Sequence, residues 1–68
     1  MFQKNEFRAA LARNNLTLED VAKALNISAP TISRKINGQG DFFRHEIDAI
    51  RKLLNLSDDD VLNIFFAE

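Results

Sequence analysis

Few side chains in this chain have chemistry to offer, and the most capable lie together on one predicted helix. Over Ala29 to Asn37 (APTISRKIN), a helical wheel puts Ile32 and Ile36 on one side and Pro30, Arg34 and Asn37 opposite. Thr31 and Ser33 flank that outer face. Arg34 carries a planar fork of donors that matches the paired acceptors of a guanine edge or of a phosphate. Enzyme chemistry finds no such grouping. His45 is the only histidine and there is no cysteine, so a nucleophile–base set or a soft metal site has almost nothing to draw on. Asp58, Asp59 and Asp60 are consecutive, and on a helix consecutive side chains fan apart and do not converge on a cation. Gly38-Gln39-Gly40 lacks the preceding strand and the following lysine of a phosphate-cradling loop. The expectation is a protein without catalytic residues, cofactor or metal.

The 68 residues suffice for a single domain, 1–68, whose stability margin is thin enough that each buried Phe and Leu counts. The start, MFQKNEFRAA, has no uninterrupted apolar core of a signal peptide, and no apolar run reaches membrane-spanning length. With the absence of cysteine, this predicts a soluble cytoplasmic domain. The net charge of −1 is unevenly spread: +2 over residues 1–13, −1 over 14–27, +2 over 28–40, 0 over 41–54 and −4 over 55–68. The helix that bears Arg34 is purely basic, while the acid lies in the tail. A low net charge predicts weak non-specific binding to a polyanion without excluding specific binding.

Five helices are predicted to position these groups. Residues 3–14 form the first, with Phe7, Ala10 and Leu11 inward. Thr17 caps the second, with Asp20 completing a capping box, and Val21, Ala22 and Leu25 make its apolar stripe. Asn26 is suited to a left-handed corner, Ile27 anchors it, and Ser28 caps the third helix with Pro30 in its first turn. Asn37-Gly38 closes that helix. A fourth runs from about Arg44 to Asn55 with Ile47, Ile50 and Leu54 inward and Phe43 stapling its start. Ser57 caps the fifth, where Asp58, Asp59 and Asp60 meet the positive end of the helix dipole. Val61, Ile64 and Phe65 point one way on this last helix, with Leu62 and Phe66 about 100° further round. Leu62 and Phe66 are expected to contact a second copy of the chain; the competing expectation is that both fold back and complete the core. All six Phe residues are read as core material.

The stretch Thr17–Gly38 resembles the helix-turn-helix of the phage Cro and repressor family. It has a small residue inside the first helix (Ala22), branched apolar residues at the corner (Ile27) and inside the second helix (Ile32), and a closing Asn37-Gly38. Phe43–Ile47, the run Leu53–Ser57 and Ile64-Phe65-Phe66 extend the likeness over essentially the whole chain; one departure is Phe43, where the family often places a capping Thr. The resemblance implies an all-α, five-helix lambda-repressor-like domain whose third helix enters the major groove. Ala29, Pro30 and Arg34 then align with base readers, and Thr31 and Ser33 border them. Ala29 and Pro30 can pack on thymine methyls but read no hydrogen-bond pattern, which leaves DNA shape to supply part of the specificity. Thr17, with the amides of Leu18 and its neighbours, would meet a phosphate, provided that Glu19 and Asp20 point away. Lys35, Asn37 and Gln39 would grip the backbone beyond the third helix, and Arg44 is a further candidate.

The function expected is that of a transcriptional regulator: a Cro-like or repressor-like homodimer on a palindromic operator of double-stranded DNA, encoded by a phage or mobile element. The alternative is an antirepressor that binds a phage repressor protein and leaves DNA alone.

Overall fold

The computed structural model describes residues 1–67, which form five helices: α1 (Lys4–Arg13), α2 (Leu18–Leu25), α3 (Ala29–Ile36), α4 (Arg44–Leu53) and α5 (Asp58–Phe65). Each helix starts within two residues of its expected boundary. Thr17 and Ser57 form reciprocal capping boxes with Asp20 and Asp60, and Ser28 Oγ accepts the Thr31 amide. Phe43 has no acceptor, so α4 keeps only half of such a box: the Glu46 carboxylate takes the Phe43 N–H at 2.8 Å. That half is enough to set the start of α4 at Arg44 without a capping hydroxyl.

All four corners use one device. A single left-handed residue follows each of α1 to α4: Asn15, Asn26, Gly38 and Asn55, at φ of 54°, 57°, 83° and 53°. The next residue then donates its amide back to a carbonyl five positions earlier, Leu16 to Leu11, Ile27 to Ala22, Gln39 to Arg34 and Leu56 to Arg51. This is the Schellman arrangement, and the residue that makes the returning bond normally adds an apolar contact. Leu16, Ile27 and Leu56 do so, packing in or against the core, whereas Gln39 is exposed.

The core holds Phe7, Ala10, Leu11, Val21, Ala22, Ile32, Ile36, Ile50, Leu54, Leu56, Ile64 and Phe65. Leu25, Ile27, Ile47 and Val61 pack against it. Helix α2 lies on α3 and α4, and α1 on α5. The chain start is tied to the end of α5, where the Gln3 amide meets the Ile64 carbonyl at 2.6 Å. This brings Phe2 between Phe7, Phe42 and Phe65, with ring centroids 5.1–5.5 Å apart. Two of the six Phe residues are not core material, contrary to expectation: Phe43 is 60% exposed and Phe66 56%. Phe43 therefore does not staple α4; its ring stacks on His45 instead.

Three carboxylates titrate low in this fold. Asp20 and Asp60 are held down by the backbone N–H and then the hydroxyl of their own cap residues, Thr17 and Ser57. Burial alone would raise Glu46, but the Phe43 N–H and the Lys35 ammonium outweigh it and hold Glu46 below its ordinary value. A carboxylate whose folded pKa is depressed contributes stability above its unfolded pKa and loses it as pH falls through the folded value. The melting temperature is therefore expected to hold from neutral pH down to about 5 and to fall steadily below about 4. A thermal melt series checks this, and a midpoint unchanged down to about pH 3 contradicts it.

Candidate nucleic-acid interface

Helix α3 is built with two unlike faces. Ile32 and Ile36 are 1% and 5% exposed, while Ala29, Pro30, Arg34 and Asn37 face solvent. Thr31 and Ser33 are half-buried between them, as the wheel predicted. Hydroxyls and guanidinium form a short chain along the outer face: Ser28 Oγ and Thr31 Oγ1 are 2.8 Å apart, and Arg34 Nη2 lies 3.5 Å from Thr31 Oγ1. At that distance the Thr31 hydroxyl guides the guanidinium only weakly, so the fork remains available for stronger acceptors.

Around this face the expected backbone contacts divide into two groups. Asn37 and Gln39 are exposed just beyond α3, and Gln39 is the one returning residue of the four corners that does not pack in or against the core. Lys4, not singled out from the sequence, joins them: its ammonium donates to Asn37 Oδ1 at 2.9 Å and brings the start of α1 to the end of α3. No local signal marks that contact, because 33 residues separate the partners. Arg44 is exposed at the first position of α4.

Lys35 is placed differently from the expectation of a backbone contact. Its ammonium donates to the Asp41 carbonyl at 2.8 Å and to Glu46 Oε1 at 3.1 Å, and it sits 4.6 Å from the centre of the Phe43 ring. The two charged side chains are only 11% and 5% exposed, so this charge is committed inside the fold. The wheel could not show this, since the partner lies across a loop on α4.

The start of α2 also differs in part. Thr17 is exposed and Leu18 half-buried, with the Leu18 side chain packed against the core. Asp20 does not point away: its carboxylate accepts the Thr17 amide at 2.8 Å and lies 3.1 Å from the Thr17 hydroxyl. Thr17 is thus already occupied, and the Leu18 and Glu19 amides are the first-turn donors without an acceptor among the described residues. An anion at this helix start meets those two amides and also the Asp20 charge, which opposes it.

Leu62 is as exposed as Phe66, each at 56%, so neither completes the core. No helix among the described residues is long and apolar enough to cross a membrane.

Two capped helices joined through a left-handed Asn26, with an apolar inner face and a basic outer face on the second, define a helix-turn-helix domain, a DNA-binding class. The family model for the helix-turn-helix domain matches residues 5–63, and the chain belongs to that family. The match fits a small Cro- or repressor-like domain. No curated protein and no solved structure matches the chain.

Proposed function

We propose that this protein is a sequence-specific transcriptional regulator, a small Cro-like or repressor-like protein of the kind phages and mobile elements encode. It binds a palindromic operator as a homodimer and represses by occupying a promoter. The observation that carries this reading is the outer face of α3. It is exposed and free of acid from Ser28 to Gly40, and it centres on Arg34, whose guanidinium has as its only hydrogen-bond partner among the described residues a hydroxyl at 3.5 Å. Arg34 reads guanine O6 and N7, Ala29 and Pro30 pack on thymine methyls, and Thr31 and Ser33 border the contact. Lys4, Asn37, Gln39, Arg44 and the Leu18 amide hold the phosphates, which fixes register without carrying sequence information.

Exposed Leu62 and Phe66 support the homodimer, since an exposed apolar pair at the end of the last helix gains by meeting its own copy across a two-fold axis. Two copies on one face of DNA set their α3 helices about 34 Å apart, one helical turn of the duplex. A Phe66→Glu variant is expected to sediment as a monomer and to weaken binding to a two-fold site at least tenfold while sparing a single half-site. Equal affinity of parent and variant for the two-fold site removes this interface.

The same exposed pair also suits an antirepressor that docks on a phage repressor protein. Binding to duplex DNA across a salt series separates the two. Phosphate contacts release counterions, so log affinity must fall linearly with log salt, by about 0.9 per phosphate contacted. Absence of that slope, with the protein folded, favours the protein-binding role.

A further inference from the structure

We propose that Lys35 is a positioning residue for sequence readout and that, with Glu46, it fixes how the reading helix sits on the domain. The proposal rests on the DNA-binding reading above. The corner after α3 is the one in which the residue making the returning hydrogen bond, Gln39, is exposed; Leu16, Ile27 and Leu56 anchor the other three corners in apolar surroundings. The Lys35–Glu46 pair stands where that apolar anchor is missing. Lys35 Nζ ties the last turn of α3 to the Asp41 carbonyl at 2.8 Å and to Glu46 Oε1 at 3.1 Å. Glu46 Oε1 in turn takes the Phe43 amide at the start of α4. The rings of Phe42 and Phe43 lie 5.8 and 4.6 Å from the ammonium and shield it from water. One nearly buried pair thus joins α3, the 37–43 loop and α4.

A directional anchor suits this place. An apolar residue holds a corner by burial alone, whereas two short hydrogen bonds from one ammonium set the rotation of a helix of only eight residues. Arg34, the neighbour of Lys35 on the outer face, needs that rotation, because a bidentate contact with a base edge fails when the helix turns or shifts by a fraction of a bond length. The charge of Lys35 is spent on Glu46 and contributes little to counterion release from DNA.

The test compares Lys35→Met with the parent, as full chains, on the duplex the parent selects and on a scrambled duplex, over a salt series and well below the melting midpoint. The ratio of specific to non-specific affinity is expected to fall about tenfold, the order of one weakened charged hydrogen bond. The salt slope on scrambled DNA is expected to keep the parent's value. A slope shallower by about 0.9, with both duplexes weakened alike, makes Lys35 a phosphate ligand and overturns the proposal. An unchanged ratio also overturns it, since lost stability alone leaves the ratio of a folded protein intact. Should Lys35→Met fail to fold, Glu46→Gln decides: it keeps an acceptor for the Phe43 amide, removes only the charge and must lower the ratio in the same direction. A parent that shows no salt-dependent affinity for any duplex fails at the first step and removes the DNA-binding reading itself, and this proposal with it.

Discussion

Arg34→Ala is expected to lower affinity for the preferred duplex by about 5- to 150-fold, the equivalent of one bidentate arginine–guanine contact. The loss should be confined to sequences that carry the guanine, and preference at that one base pair should relax. The Arg34 side chain is exposed and makes no short hydrogen bond among the described residues, so its removal leaves the domain's stability nearly unchanged. That separation makes the result informative, because a drop in binding cannot be assigned to unfolding. Titration of parent and variant on the preferred duplex and on its single-base variants measures both quantities. Equal losses on every sequence would make Arg34 a phosphate contact, and no loss would move the reading face elsewhere.

Phe7→Ala is expected to have the largest effect on the fold. Phe7 is fully buried, and its ring packs 5.4 Å from that of Phe2, which also touches Phe42 and Phe65. Truncating a buried Phe removes about 3–5 kcal/mol. A domain of this length holds only about 3–10 kcal/mol in all. The variant should therefore melt at least about 12 °C lower, or lack a cooperative transition at room temperature. Phe66→Ala serves as the matched control at a protein concentration too low for the proposed dimer: more than half of that ring is exposed, and its loss from the monomer should barely move the midpoint. A small shift for Phe7→Ala would mean that the aromatic cluster is not where the stability resides.

Most of the fold was legible because its signals are local. Thr17, Ser28 and Ser57 mark three helix starts by hydroxyls that reach amides three residues on, and Asn26 marks a corner by its tolerance of the left-handed backbone. The split between Ile32 and Ile36 on one side and Pro30 and Arg34 on the other follows from helical period alone. The surroundings of the reading face were harder to see, because they depend on contacts between distant positions. Lys35 reads in the sequence as a cation placed to grip the DNA backbone, and only the fold of the 37–43 loop brings Glu46 against it. Lys4 meets Asn37 only because the fold brings the first residue of α1 to the residue that follows α3. Asp20 occupies the Thr17 amide as a capping box requires, and that same local bond conflicts with using Thr17 to hold a phosphate. Phe42 and Phe43 are adjacent and alike in type. The first joins the aromatic cluster, whereas the second lies over Lys35 and His45 and remains largely exposed.

The most direct measurement is selection of bound fragments from a random duplex pool at moderate salt, run in parallel with the parent and Arg34→Ala. The parent should enrich a two-fold symmetric site with half-site centres about one helical turn apart. Arg34→Ala should lose that site or relax it at one base pair in each half. If the folded parent enriches no sequence, readout through α3 is contradicted, and the exposed Leu62 and Phe66 become the place to look for a protein partner.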